Sequence, residues 1–306
     1  MRPGRRLDRR GVKPAPFDFV AATSIGEAVS RLAEEEGARI IAGGQSMMPL
    51  LAMRLVRPTL LVDINGLGLD HLSPGPEPGE LRIGALVRQR QLEQDPAIAE
   101  ACPLLSEAAA LVGHPSIRNR GTLGGSLVNA DPRAELPTAL FALAGSVTIE
   151  GPGGRRTMSA AELSAVPLTT ALAPDDVLVE VTVPTAVAGD GSAFCEWTPR
   201  ARDFAVAGVA VVVHTADGVV SAVSGAACGV APGPLDLGDA LSALVGSGRP
   251  TDSLLRAVAA SVQAVCSGNS YFDHDMEDRA ALAGILAARA VWRSVQRTRI
   301  DSTAAA

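Results

Sequence analysis

Two glycine-rich stretches carry the residues best suited to holding a ligand. The first is Ala42-Gly43-Gly44-Gln45-Ser46, followed by Met47-Met48-Pro49-Leu50. Adjacent glycines let a backbone enter the positive-φ region and approach a ligand closely. Successive N–H groups in such a turn form a concave anion site, and Ser46 adds a hydroxyl. No lysine follows, so this is not a Walker A loop, and the G-x-G-x-x-G spacing of a Rossmann site is missing. A pyrophosphate held by neutral donors fits better than a triphosphate with magnesium. The plain alternative is a tight strand-to-helix turn with no ligand.

The second stretch, residues 117–132, holds Gly121, Thr122, Leu123, Gly124, Gly125, Ser126, Asn129 and Asp131, with Glu135 just beyond. Three glycines, two hydroxyls, an amide and two carboxylates can wrap a large polar ligand. Positive φ is expected at Gly44 and at Gly124. Other readings stay open. Glu135 suits a helix N-terminus by charge alone, and Asp131 before Pro132 is a common turn device. Arg118 and Arg120 can pair with phosphate or a partner subunit, or sit on a solvated surface. Two donor-rich loops in adjacent α/β units point to a ligand with two ends, held between domains. By themselves the residues specify only a long phosphorylated ligand.

The elements that must position these loops follow from pattern. Ser24, with Glu27 three residues on, reads as a capping box. Ile25, Ala28, Val29 and Leu32 then recur at helical spacing, to a stop near Gly37. Short strands are expected at 39–42 and 59–64. Strands are also expected at 81–87, 146–150 and 177–183, with proline-broken helices over 88–112 and a helix over 135–144. The apolar run 205–213 reads as a buried strand, and Asp217-Gly218 as a hairpin turn. Helical patterns occupy 235–245, 252–265 and 276–297. The fold class is α+β in three parts. The units are 13–66, 67–184 and 191–297, between an Arg-rich disordered extension over 1–12 and a tail over 298–306. The natural start is expected near Val12.

Composition narrows the function. The chain has 306 residues, is 47% hydrophobic and carries a net charge of −6, which speaks against nucleic acid as a partner. Cys102, Cys195, Cys228 and Cys266 are scattered, as are the four histidines, so neither iron–sulfur nor zinc spacing exists. The cysteines are expected as buried thiols, and no metal site is expected. No segment approaches the roughly 20 apolar residues of a membrane span, and a cytoplasmic location is expected.

The segments A-G-G-Q-S-M-M-P-L-L-A-M-R (42–54) and R-N-R-G-T-L-G-G-S-L-V-N-A-D-P-R-A-E-L-P (118–137) closely resemble the FAD-binding subunit of molybdopterin-dependent hydroxylases. That family includes the medium subunit of carbon monoxide dehydrogenase and the flavin domain of xanthine dehydrogenase. The opening K-P-A-P-F-D-F (13–19) is similar to its usual start. The resemblance implies a two-domain FAD-binding fold of the vanillyl-alcohol-oxidase type plus an α+β C-terminal domain of the CO dehydrogenase flavoprotein type. It places FAD between the first two domains, with Ala42, Gly43, Gly44, Gln45 and Ser46 on the pyrophosphate. Thr122, Leu123, Gly124, Gly125 and Ser126 would also contact FAD. Glu135 matches an acidic FAD contact that is Asp in many members, and Leu178 matches an apolar residue on the flavin ring. Gln45 replaces a histidine of some members. Cys195-Glu196-Trp197 stand where members often carry a lysine, so no such contact is carried over.

The implied activity is that of an electron-transfer subunit of an oxidoreductase. Substrate is hydroxylated at molybdopterin on a large subunit, and electrons pass through 2Fe–2S clusters on a small one. FAD then hands them to an external acceptor, oxygen or a respiratory chain in preference to NAD. A dimer of heterotrimers is the implied assembly. No catalytic acid, base or nucleophile is required of this chain, because the cofactor does the chemistry. The alternatives are a stand-alone FAD-dependent oxidoreductase and a non-redox nucleotide-binding scaffold.

Overall fold

The computed structural model describes residues 14–164, 169–269 and 275–298. The expected extension over 1–12, the start near Val12 and the tail beyond Thr298 lie outside the described residues.

Three sheets organise the described residues. The first is parallel, in the order β1 (Asp18–Ala21), β3 (Leu60–Asp63), β2 (Arg39–Ile41). Parallel neighbours need a crossover, which α1 (Ile25–Glu34) supplies between β1 and β2. Short helix α2 (Met47–Ala52) lies between β2 and β3. Helix α1 buries Ala28, Val29 and Leu32, and the Ser24 hydroxyl caps it by accepting from the Glu27 N–H at 3.1 Å. The other arm of the expected capping box goes elsewhere. Glu27 accepts from the N–H and hydroxyl of Thr23, at 2.8 and 2.7 Å.

The second sheet is antiparallel. Its strands are β4 (Leu72–Pro74), β5 (Glu80–Gly84), β6 (Ser146–Gly151), β7 (Gly154–Ser159) and β8 (Val177–Pro184), in the order β4-β5-β8-β6-β7. Between β5 and β6 run α3 (Gln89–Gln94), α4 (Pro96–Ala101), α5 (Pro103–Leu111), α6 (Pro115–Arg118), α7 (Leu123–Asn129) and α8 (Glu135–Ala142). Prolines open α4, α5 and α6, where a missing N–H costs nothing. Helix α9 (Ala160–Leu163) follows β7.

Strand β8 serves two cores. Its register against β6 slips between Thr148↔Glu180 and Ile149↔Leu178, leaving Val179 as an extra residue. Such a bulge changes which face the following side chains take. Val177 and Val179 pack with α1 and β3, whereas Val181 and Val183 pack into the second core.

The third sheet is an antiparallel meander of β9 (Asp190–Trp197), β10 (Ala207–Ala216), β11 (Val219–Cys228) and β12 (Leu235–Asp236). Asp217 and Gly218 join β10 to β11 with φ of 51° and 77°, the two positive values that a type I′ hairpin demands. After α10 (Gly238–Leu241), helices α11 (Asp252–Ser267) and α12 (Met276–Arg297) cover one face of the meander. The opposite face sends Phe194, Ala210, Ala226 and Cys228 into the core of the second unit. One carboxylate fastens this junction. Glu107 of α5 accepts from the Phe194 N–H at 3.0 Å and from Arg293 and Arg297 of α12, each at 2.7 Å. All four cysteines are buried and free.

Candidate functional site

The first loop leaves β2 and turns at once into α2. Gly44 sits at φ +71°, a region L side chains avoid. The turn closes on itself, with the Met48 N–H bonded to the Gly44 carbonyl at 2.9 Å and the Gln45 amide donating to the Gly43 carbonyl at 3.0 Å. The N–H groups of Gly43, Gly44, Gln45 and Ser46 are left with no acceptor among the described residues. Ser46, at the head of α2, is exposed and makes no capping bond. A row of unbonded donors at a turn is what a phosphate anion requires.

The second loop packs against the first. A β-carbon on Gly43 would lie 2.3 Å from the Arg120 carbonyl oxygen and 2.9 Å from the Gly121 Cα. Two residues absent from the sequence-based site bind the loops together. The Asn65 amide donates to the Ala42 carbonyl and to Asp63, at 2.9 and 2.6 Å. Arg88 donates to Asn65 Oδ1 at 2.9 Å and to the Arg120 carbonyl. The contacts of Asn65 with Ala42 and of Arg88 with Asn65 and Arg120 join residues 23 or more apart, so no local pattern marks them.

Within the second loop the backbone donors are already engaged. The N–H groups of Leu123, Gly124, Gly125 and Ser126 bond to the carbonyls of Val87 and Ala85, the hydroxyl of Thr122 and the carbonyl of Thr122. The expected positive φ at Gly124 is overturned: this glycine is helical, the second residue of α7. It is small because a β-carbon would lie 2.7 Å from Ala85 Cβ and 2.9 Å from the Ala85 carbonyl oxygen. What the loop leaves accessible is the half-buried Ser126 and the exposed backbone at Gly125, whereas Thr122 is 2% exposed, its hydroxyl accepting the Gly125 N–H.

The remaining sequence-based residues divide. Arg118 takes neither expected role. It is 1% exposed, makes a two-toothed ion pair with Glu93 at 2.9 Å on both arms, and donates to the carbonyls of Val112 and Gly113. Arg120 is exposed, with its carbonyl held by Arg88. Asp131 pairs with Arg133 and accepts its N–H, which fixes the turn before α8. Glu135 opens α8 and is 7% exposed. Burial, then the nearby charge of Asp131, push its carboxyl up to about 7. Leu178 is buried in the second core.

Two features near the loops carry no sequence signal. Arg133 lies over the ring of exposed Phe204, 4.1 Å from its centroid, a cation–π contact. An open cleft of about 570 Å³ adjoins the second loop, lined in part by Arg88, Arg90, Gln91 and Asn119.

Comparison with known proteins bears on this geometry. Residues 15–186 match the family described as the FAD binding domain in molybdopterin dehydrogenase. Residues 192–294 match the CO dehydrogenase flavoprotein C-terminal domain. The carbon monoxide dehydrogenase medium chain of Hydrogenophaga pseudoflava is 33% identical over 91% of this chain and 96% of its own length. Caffeine dehydrogenase subunit beta of Pseudomonas sp. (strain CBB1) is 34% identical over 94% of this chain and 97% of its own. A structure of the Hydrogenophaga pseudoflava carbon monoxide dehydrogenase superposes with a TM-score of 0.88 at 34% identity, covering 93% of this chain and 99% of that one.

Proposed function

The chain belongs to the family of FAD-binding subunits of molybdopterin dehydrogenases, and from that premise we propose that the first loop holds the FAD pyrophosphate. The row of unbonded N–H groups from Gly43 to Ser46 carries this reading, because neutral, aligned donors suit a diphosphate bridge without a metal. Ala42 completes the turn. Ser126 adds a hydroxyl donor, Thr122, Leu123, Gly124 and Gly125 form the wall that carries it, Glu135 gives an acidic contact, and Leu178 supports the ring. Asn65 and Arg88 fix the spacing between the two loops.

When bound, FAD supplies the redox chemistry, exchanging electrons singly with clusters and in pairs with an acceptor. This chain's own work is to bind, orient and partly bury it. The protein is the FAD-carrying, electron-transfer subunit of a multi-subunit molybdenum hydroxylase. We further propose a large molybdopterin subunit and a small 2Fe–2S subunit as its partners, in a dimer of heterotrimers, and a cytoplasmic location. No helix among the described residues is long and apolar enough to cross a membrane. Oxygen or a respiratory chain is proposed as the acceptor. The proposed domain limits are 13–66, 67–184 and 191–297.

The direct test is an absorption spectrum of the purified chain, before and after adding FAD, with the released cofactor identified. Flavin bands, and FAD in preference to FMN on release, are expected. A chain that takes up no FAD either alone or with its co-expressed partners would overturn the reading.

A further inference from the structure

The N–H groups of Gly43 to Ser46 can orient an anion, but they bring no net charge, and the chain as a whole carries −6. A diphosphate held by neutral donors alone would therefore sit in a repulsive field. A cation close by would offset it, and one stands at the seam of the two loops.

Arg88 is the residue that caps α3 at this seam. Its backbone is pinned to the second loop from both sides. The Gln89 N–H bonds to the Gly121 carbonyl at 2.9 Å, and the Leu123 N–H to the Val87 carbonyl at 3.0 Å. The side chain is pinned as well. One arm of the guanidinium donates to the Arg120 carbonyl, the group that leaves no room for a side chain on Gly43. The other donates to Asn65 Oδ1 at 2.9 Å, and the Asn65 amide holds the Ala42 carbonyl. A single neutral group thus separates each arm from the first loop.

Both acceptors are neutral, so the charge of Arg88 goes unanswered. The residue is half-buried and makes no ion pair among the described residues. A guanidinium has more N–H donors than these acceptors engage, and a partly desolvated charge without a counter-charge is unfavourable. The nearby carboxylates do not supply one. Asp63 accepts from the N–H and amide of Asn65. Glu93 is shared by Arg90 and Arg118. Asp95 caps α4 through the Ala97 N–H. Arg120, exposed and likewise without an ion pair among the described residues, adds a second cation to the seam. Arg88 also lines the open cleft beside the second loop, so it is reachable from outside.

We propose that Arg88 is a cofactor-binding residue whose guanidinium supplies the positive charge that the neutral first loop lacks, anchoring the diphosphate of FAD. The proposal rests on the first-loop reading given above. A guanidinium both neutralises phosphate oxygens and clamps them with paired hydrogen bonds. A local cation on a negative chain has a recognisable signature. Salt screens the attraction at the seam, so affinity for a diphosphate falls as salt rises. The overall negative charge alone would make it rise.

The test uses the full chain, stripped of flavin. FAD binding is followed by fluorescence quenching, and ADP binding by its competition with FAD, in about 50 mM and about 500 mM salt. Both should bind the wild type several-fold more weakly at the higher salt. Arg88→Gln keeps a neutral donor at the seam, so it should weaken FAD about tenfold at low salt and flatten the salt dependence. Arg88→Lys keeps the charge and should retain that dependence. If Arg88 were only a strut between the loops, both variants would weaken FAD alike with the wild-type salt dependence, and that result overturns the proposal. So does a wild-type affinity for ADP that does not fall with salt, which needs no variant to fold. If ADP fails to compete with FAD at all, the first loop holds no diphosphate and the underlying reading is wrong. If ADP competes while Arg88→Gln binds FAD as the wild type does at both salts, the loop reading stands and the role of Arg88 falls.

Discussion

The two glycine loops look alike in sequence and do opposite things. The first leaves the N–H groups of Gly43 to Ser46 unbonded, with Gly44 at positive φ. The second engages the N–H groups of Leu123 to Ser126 inside the protein and uses Gly124 to seat α7 on Ala85. Glycine therefore has two distinct uses here, one for backbone conformation and one for close packing. Loop composition does not separate them. A count of where each backbone donor goes does.

The largest expected effect separates the loops directly. Gly124→Val forces a branched side chain into Ala85, so it should cost about 3 kcal/mol or prevent folding, read as a lower melting temperature before any flavin assay. Gly44→Val should cost about 1–2 kcal/mol for the strained φ, remain folded by circular dichroism, and lose FAD. If the two variants behaved alike, the contrast would be wrong.

Thr122→Val comes next. It removes the cap that accepts the Gly125 N–H at 3.1 Å, for about 1 kcal/mol of stability, and weakens FAD binding along with it. The smallest effect belongs to Ser46→Ala. Its hydroxyl is exposed and caps nothing, so melting should move by no more than a few tenths of a kcal/mol while FAD affinity drops several-fold. Equal stability losses at Ser46 and Thr122 would erase the distinction between a binding loop and a building loop.

Local signals read well from sequence. The Ser24 cap, the Asp217-Gly218 hairpin and the proline-opened helices each depend on a few neighbouring residues, and each stands where the pattern puts it. The first loop was legible for the same reason, since consecutive donors and a positive-φ glycine are local properties. What failed was set at long range. Arg118 looks like a surface cation until α6 brings it to Glu93, 25 residues away. Gly124 looks like a turn residue until β5 runs on into Ala85 beneath it. Asn65 and Arg88 are unremarkable residues until the fold threads them between the loops. The extra residue at Val179 also escapes pattern, because the valines on either side of it read as one uninterrupted strand.

That extra residue bears on how the molecule comes apart. Because β8 gives Val177 and Val179 to one core and Val181 and Val183 to another, the parallel unit owns no complete interior of its own. A fragment ending near Gly66 would lack two of the valines that close it and would not fold in isolation. Heating should melt both units in a single cooperative transition. Swapping the first unit between relatives would succeed only if β8 travelled with it, so the strand ties together segments more than a hundred residues apart as one heritable piece.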